Sequence, residues 1–405
     1  MTAPVLGAQP SDSRIARAQY ALLGCVFLGL FTEVLLSPFY PQFFSKVFGI
    51  DGLAYTGWYI FICRLTVVLC SPLWGLLSRR FDPKRLLFFG QAGTAVFTAM
   101  MATADTAGAF LAFTVLLLLF KSSYMLIYPL MVSLSGNGSN AATASKFHAV
   151  YHLAIILSTV AGARMMTMEN PLSLFYAAAA VDIVQLGLCV WALRGFRGRE
   201  RDGQPEGEKK AGGLRRWSGF LLVLGSVFFT LTVANNLIRP FFTQYSQESF
   251  GLGAGGLSLL FLIPNAMAVA AMPLIKRLCV PEKLTNVYML GVAVMAGGLY
   301  LQGEADSLFL LVLGRLMYGL FLAITMASLD VLLFQHSSGP YLSFHYSVMV
   351  SFQNMGELAS PLLASALVAG AGLAVPFISS AAICILNLAL FVFLLRGRAA
   401  ALNRP

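Results

Sequence analysis

Apolar runs of about twenty residues recur twelve times along the chain, separated by short polar gaps. They extend from Tyr20 to Tyr40, Tyr55 to Leu77, Leu86 to Ala104, Phe110 to Leu134, Phe147 to Met166 and Leu172 to Leu193. The second six extend from Trp217 to Phe242, Gly256 to Ile275, Thr285 to Leu301, Leu308 to Phe334, Ser343 to Val368 and Val375 to Leu395. A helix of roughly 20 such residues crosses a hydrocarbon core about 30 Å thick. The pattern predicts an all-α membrane protein with twelve transmembrane helices. The polar residues before the first run carry Arg14 and Arg17, and the run ends in Pro38 and Pro41 without a small-residue cleavage pattern. It reads as a retained span, not a signal peptide.

The gaps set the orientation. With the N-terminus inside, 21 of the 27 Lys and Arg residues lie in cytoplasmic segments, five lie within spans, and Lys46 alone is in an outward loop. This is the bias that the positive-inside rule expects, so both termini are predicted to be cytoplasmic. The gap from Arg194 to Arg216 is rich in Arg, Lys, Glu and Gly and has no apolar period. It reads as a flexible charged linker. The predicted domains are therefore an N-terminal six-helix bundle (1–194), a linker (195–216) and a C-terminal six-helix bundle (217–405).

The two halves repeat. Pro38-Phe39, Gln42 and Phe48-Gly49-Ile50 recur 202 residues later as Pro240-Phe241, Gln244 and Phe250-Gly251-Leu252. Lys121 and Tyr124 recur 194 residues later as Arg315 and Tyr318, and Phe147-His148 recurs as Phe344-His345. Parallel repeats of six spans point to a secondary transporter with its binding site near the midplane, between two bundles.

Composition removes the alternatives. The chain is 58% apolar and 11% charged, with a mean hydropathy of +0.78. An ordinary soluble domain is closer to 45–50% apolar and about 25% charged. The net charge of +10 comes from the interspan gaps and not from a basic patch interleaved with aromatics, so nucleic-acid binding is set aside. The six cysteines show no C-x-x-C spacing and indicate neither disulfides nor a zinc site. No P-loop, nucleophile elbow or catalytic triad pattern is found, which argues against an enzyme and against ATP as the energy source. No cofactor or metal is expected.

Twelve spans, a 6+6 duplication and a charged central loop resemble the major facilitator superfamily over the whole chain. The loop from Gly75 to Leu86 (GLLSRRFDPKRL) resembles the family's G-x-L-x-D-R-x-G-R-R motif, with Arg79 where the family has Asp and Asp82 where it has Gly. By this resemblance Arg79, Arg80, Asp82 and Arg85 belong to a cytoplasmic gate, and Asp82 supplies the locking carboxylate from a shifted position. Gly314 to Gly319 (GRLMYG) resembles the R-x-x-x-G motif that the family usually carries in span four. Pro38-Phe39-Tyr40-Pro41 resembles the P-x-x-P of drug-efflux branches, which implies export. Ser158 to Arg164 lacks the G-P-x-x-G-G pattern of proton-driven antiporters.

Charged side chains within a span cost about 2.5–3.5 kcal/mol each, so each needs a partner or a wet cavity. The deep ones are Glu33, Arg64, Lys121, Asp182, Arg315 and Glu357. Depth counted along the helices brings Glu33 within reach of Arg64, the pairing preferred here, or of Lys121. The resemblance places all of them except Asp182 on cavity-lining spans. Arg64, Lys121 and Arg315 are read as a cationic site for an anionic substrate, joined by Tyr124, Tyr128, Tyr318 and Gln353. Glu33 and Glu357 are the proton-coupling candidates. Tyr124 and Tyr128 follow Lys121 at three and seven residues, on one helical face. His148 and His152, one turn apart, read as structural, with a proton relay as the alternative. Arg164 and Arg239 read as snorkelling anchors. Asp330 is expected to pair with a basic loop residue such as Arg277, as a gate contact.

The expected function is proton-coupled transport of a small organic anion by alternating access, with export favoured and a carboxylate siderophore as one substrate of that character. The rivals are a multidrug/proton antiporter for lipophilic cations and a non-transporting sensor with the same fold. The expected partners are substrate, protons and the lipid bilayer, with the chain acting as a monomer in a bacterial-type inner membrane.

Overall fold

The computed structural model describes residues 12–35, 39–50, 53–135, 139–165, 168, 170–194, 196, 211–337 and 341–402, which contain helices and no strand. The first half holds α1 (Asp12–Val34), α2 (Tyr40–Phe48), α3 (Leu53–Arg80), α4 (Pro83–Met101), α5 (Ala107–Lys121), α6 (Ile127–Ser135), α7 (Asn140–Met165) and α8 (Leu174–Leu193). The second half holds α9 (Ala211–Asn236), α10 (Phe242–Phe250), α11 (Ala254–Ala270), α12 (Met272–Leu278), α13 (Leu284–Gly303), α14 (Leu308–His336), α15 (Leu342–Ala371) and α16 (Val375–Leu402).

These helices trace twelve passes. α5 and α6 form one pass, joined by the 3-10 segment Ser122–Leu126, and α11 and α12 form another, bent by 44°. Among the described residues eight helical spans, α5 and α6 counted as one, are long and apolar enough to cross a membrane, and the bent pair makes a ninth. The remaining passes are α4, α7 and α15, whose apolar runs are interrupted by polar residues. On α7 and α15 these include Lys146, His148, His152, His345, Gln353, Asn354 and Glu357, and both helices lie where the two halves meet. His148, His152, Asn354 and Glu357 meet residues of the partner bundle, so hydropathy alone understates these helices. Outward positions such as Phe89, Ile183, Leu259, Phe309, Leu362 and Phe393 are exposed apolar side chains, as a lipid-facing surface requires.

Local signals account for several boundaries. Pro83 sits in the first turn of α4, and the Asp82 carboxylate accepts from the Lys84 amide at 3.1 Å. Thr106 caps α5 by accepting from the Ala109 amide at 3.1 Å. The sequence repeat around Phe48-Gly49 and Phe250-Gly251 is a structural repeat as well. α2 and α10 both end in a left-handed glycine, with φ of 66° at Gly49 and 63° at Gly251, a conformation that costs other residues a Cβ clash. Most of the linker lies outside the described residues. Its last six, 211–216, are already the first turns of α9.

In the first bundle α1 packs on α7 and α8, and α4 packs on α5 and α8. In the second, α13 packs on α14 and α16, and α9 on α15 and α16. Two seams join the bundles: α3 runs along α15, and α7 runs along α11, α12 and α14. One end of the molecule carries Arg79, Arg80, Lys84, Arg85, Lys146, Lys276 and Arg277 and is called the basic end below. α2 and α10 lie at the opposite end.

Candidate functional site

Four of the six deep charges form two ion pairs at the centre of the molecule. Glu33, in the last turn of α1, stands 3.4 Å from the Lys121 ammonium, which also donates to the Gly29 carbonyl at 3.1 Å. Lys121 is 9% exposed and Glu33 44%, so this pair has a buried cation and an accessible carboxylate. Arg64 of α3 crosses to the other bundle, 2.7 Å from Glu357 and 3.4 Å from the Asn354 side-chain oxygen of α15. The preferred Glu33–Arg64 pairing is corrected here. Because α3 packs along α15 and α1 packs on α7 and α8, the carboxylate that Arg64 meets belongs to α15.

The Arg64–Glu357 pair is 40% and 28% exposed and so is only partly desolvated. Removing one partner still leaves the other charge inside a membrane protein. Arg64→Gln is expected to lower the detergent melting temperature, and Arg64→Gln with Glu357→Gln to recover most of the loss. Thermal denaturation of the two variants checks this, and strictly additive losses would speak against the pair.

Arg315 is held differently. It is 4% exposed, donates from Nε to the Leu260 carbonyl at 3.2 Å, and stacks its guanidinium 3.8 Å from the centre of the Phe242 ring. Tyr318 lies one turn on, with its ring centre 5.7 Å from the same group and its hydroxyl on Asn235. Among the described residues no carboxylate lies within ion-pair distance of Arg315. Lys121 has a similar aromatic neighbour in Tyr124, at 5.8 Å, but it also has Glu33. The repeat thus places two cations at matched positions and neutralises only one of them.

Toward the basic end the seams are shut. A Cβ on Gly75 of α3 would stand 1.8 Å from the Ser347 hydroxyl and 3.1 Å from the Phe344 Cα of α15. Nearer the centre, the Ser351 hydroxyl donates to the Val68 carbonyl at 2.7 Å. On the other seam, the Ser145 hydroxyl donates to the Met272 carbonyl at 2.7 Å, and His152 meets the Asn265 side chain at 2.9 Å. His148 meets Asp330 at 2.9 Å, so the partner of Asp330 is a buried histidine and not Arg277, which is exposed. α7 packs against α14 and presents His148 at the level of Asp330.

Two further expectations change. The Asp82 carboxylate is spent on the first turn of its own helix, with the Lys84 ammonium 3.9 Å away. The cross-bundle contact of this loop comes instead from Arg79, whose guanidinium lies 4.8 Å from the Tyr341 ring centre and 5.7 Å from that of Phe344. Arg80 and Arg85 are exposed. Tyr128 does not continue the face of Lys121 and Tyr124. The 3-10 segment between them turns the chain about 100° further over five residues than an α-helix does. Tyr128 is buried instead at the closed seam, stacked on Phe147 at 3.9 Å and edge-on to Phe334 at 4.9 Å and Tyr346 at 5.4 Å.

Gln353 is half-buried on α15, one turn before Glu357. Arg239 is exposed and donates to Asn236 at 3.0 Å, while the Arg164 side chain and Pro38 lie outside the described residues. Sequence reasoning missed Asn354, Asn265 and Phe242 as partners. All three are uncharged, and a polar or aromatic residue in a span carries little signal until its neighbour is known.

A sequence model described as Major Facilitator Superfamily matches residues 22–301 and again 224–405. The chain belongs to the major facilitator superfamily. It is 25% identical over 392 residues to the multidrug resistance protein MdtG of Citrobacter koseri, covering 91% of this chain and 92% of that one. The MdtG of Escherichia coli O1:K1 / APEC is 24% identical over 388 residues, with 91% of each covered. Among solved structures, the human organic anion transporter MFSD10 (TETRAN) superposes with a TM-score of 0.76 over 95% of this chain and 100% of that one, at 18% identity, a likeness of fold. The protein is an integral membrane transporter of this superfamily.

Proposed function

We propose that this superfamily member is a proton-coupled secondary transporter that exports an organic anion by alternating access. The observation that carries the reading is Arg315, a buried cation stacked on Phe242 with no carboxylate beside it among the described residues. A buried cation without a counter-ion is costly. A substrate carboxylate supplies the missing charge and takes a bidentate hold on the guanidinium. Arg64 adds a second cation whose present partner, Glu357, an anion can displace. Glu33, the most exposed of the four pair-forming acids and bases at the centre, takes a proton and releases Lys121 in exchange.

In this reading the basic end is cytoplasmic and both termini lie on that side of a bacterial-type inner membrane. Residues 1–194 and 217–405 rock as two bodies about the centre, with 195–216 as the tether. The closed basic-end seams are then the gate shut toward the cytoplasm, and carboxylate siderophores are the finest form of the substrate class. A second reading draws on the curated relatives: both MdtG proteins carry the description multidrug resistance protein. Proteoliposomes with an imposed pH gradient separate the two. Labelled citrate, as a polycarboxylate probe, is expected to move against its gradient when protons flow the other way. Movement of ethidium with citrate left still would put the multidrug reading first.

A further inference from the structure

Behind the Glu33–Lys121 pair the first bundle encloses a polar seam that transport as described above does not use. Gln91, Thr94 and Thr98 share one face of α4; Asp182, Gln185 and Cys189 share one face of α8; and those two helices pack together. α1 adds Cys25 and Gly29, and the 3-10 segment adds Tyr124. Gly29 joins the seam to the pair. Its carbonyl accepts from Lys121 at 3.1 Å, while a Cβ on its other side would stand 3.0 Å from the Tyr124 ring and 3.3 Å from the Gln185 amide nitrogen.

Asp182 is 2% exposed, and Gln91 and Gln185 are fully buried. The Thr98 hydroxyl donates to Asp182 Oδ2 at 2.7 Å. Asp182 Oδ1 has no protein partner, and neither do Gln91 Oε1 or the two side-chain amide atoms of Gln185. Each such buried group costs about 1–3 kcal/mol if left unsatisfied, and folded proteins contain few of them. Their concentration along one seam marks a region built to take water and a proton. Among the described residues no cation stands within ion-pair distance of Asp182; the link to Lys121 runs through Gly29, whose carbonyl holds the ammonium and whose other side faces Gln185, one turn from Asp182 on α8.

We propose that Asp182 is a proton-holding carboxylate and that Lys121 is a counter-ion shared between Asp182 and Glu33. In the arrangement observed, Lys121 pairs with Glu33 and Asp182 carries the proton on Oδ1. In the alternate arrangement the ammonium turns to Asp182 and the proton passes through the seam to Glu33. The two carboxylates hold one proton and one ammonium between them throughout. The other titratable groups facing the seam are Tyr124 and the thiols of Cys25 and Cys189, which lie sulfur to sulfur at 3.8 Å, with the Gln91 amide donating to Cys189 at 3.4 Å. α4 contributes no titratable group to it. The use of this site in transport rests on the proton-coupled reading; the site itself needs no substrate.

Infrared spectroscopy of the purified protein, labelled with side-chain 13C-aspartate and compared in H2O and D2O near neutral pH, reads the carbonyl stretch of a protonated aspartic acid. The band is expected in the wild type and lost in Asp182→Asn. It is expected to vanish in Glu33→Gln as well, because Lys121 then turns to Asp182, and to return in Glu33→Gln with Lys121→Met. Should Asp182→Asn fail to fold, the variants of the accessible Glu33 still decide the matter. A wild type without the band overturns the protonated Asp182, and a band that persists in Glu33→Gln overturns the shared counter-ion. A protein with the expected band pattern that moves no anion against a pH gradient would keep this site and lose the transport reading. A coupled transporter without the band would do the reverse.

Discussion

Gly75→Val is expected to hold the basic end open and to abolish net transport. Even a bare Cβ at this position would lie 1.8 Å from the Ser347 hydroxyl and 3.1 Å from the Phe344 Cα, and the second of these is backbone that no rotamer change moves. α3 and α15 must therefore separate where the seam is tightest. Overpacking of this kind costs about 1–3 kcal/mol, and more where a helix has to shift. The clash exists only in the arrangement closed at the basic end, so its whole cost falls on one side of the equilibrium. On the order of a tenfold to hundredfold shift toward the open form follows. Spin labels at Arg85→Cys and Arg277→Cys, exposed sites in opposite bundles, report it in a background with the six native cysteines replaced. The label separation is expected to lengthen in Gly75→Val and to return toward the wild-type distribution when Ser347→Gly is added. An unchanged separation would mean that this contact does not control closure.

Arg315→Gln is expected to lower anion flux at least tenfold, about 1.4 kcal/mol in the rate-limiting barrier, while leaving thermal stability unchanged or raised. Two effects on stability oppose each other. Losing the stack on Phe242 costs about 2 kcal/mol at a desolvated site, whereas removing a buried cation that has no carboxylate relieves a burial cost of several kcal/mol. A structural cation behaves in the opposite way, since its loss exposes a buried partner charge. Initial rates of labelled citrate flux and the melting temperature in detergent, measured on the same preparation, decide the matter. A destabilised protein with normal flux per folded molecule would make Arg315 a packing residue.

Much of the fold was legible in the sequence because it is periodic. Spans announce themselves by length and hydropathy, and the duplication by matched spacing that survives as matched geometry, as Gly49 and Gly251 demonstrate with their left-handed helix ends. The passes that fell short, α4, α7 and α15, were still legible as apolar runs, and His148, His152, Asn354 and Glu357, which lower the hydropathy of α7 and α15, help to join the bundles. The site was legible in its members and much less so in its pairings. Depth along a helix placed Glu33 level with two cations and had no means of choosing between them, because it carries no information on which helices are neighbours.

By itself, the sequence determined an all-α, twelve-pass, internally repeated membrane protein of the major facilitator superfamily, and it singled out the six charges that lie deep within spans. These follow from hydropathy and spacing, which are properties of the chain alone. Only the tertiary structure decided that Arg64 reaches across to Glu357, that Lys121 holds Glu33, that His148 takes Asp330 and that Arg315 meets a carbonyl and aromatic rings, with no carboxylate at ion-pair distance among the described residues. Each of these depends on helix packing and on rotation about the helix axis. A single 3-10 segment turned Tyr128 from the expected face into the closed seam. Contacts between residues 182 or 293 positions apart are set by the assembled bundles, and no local pattern encodes them.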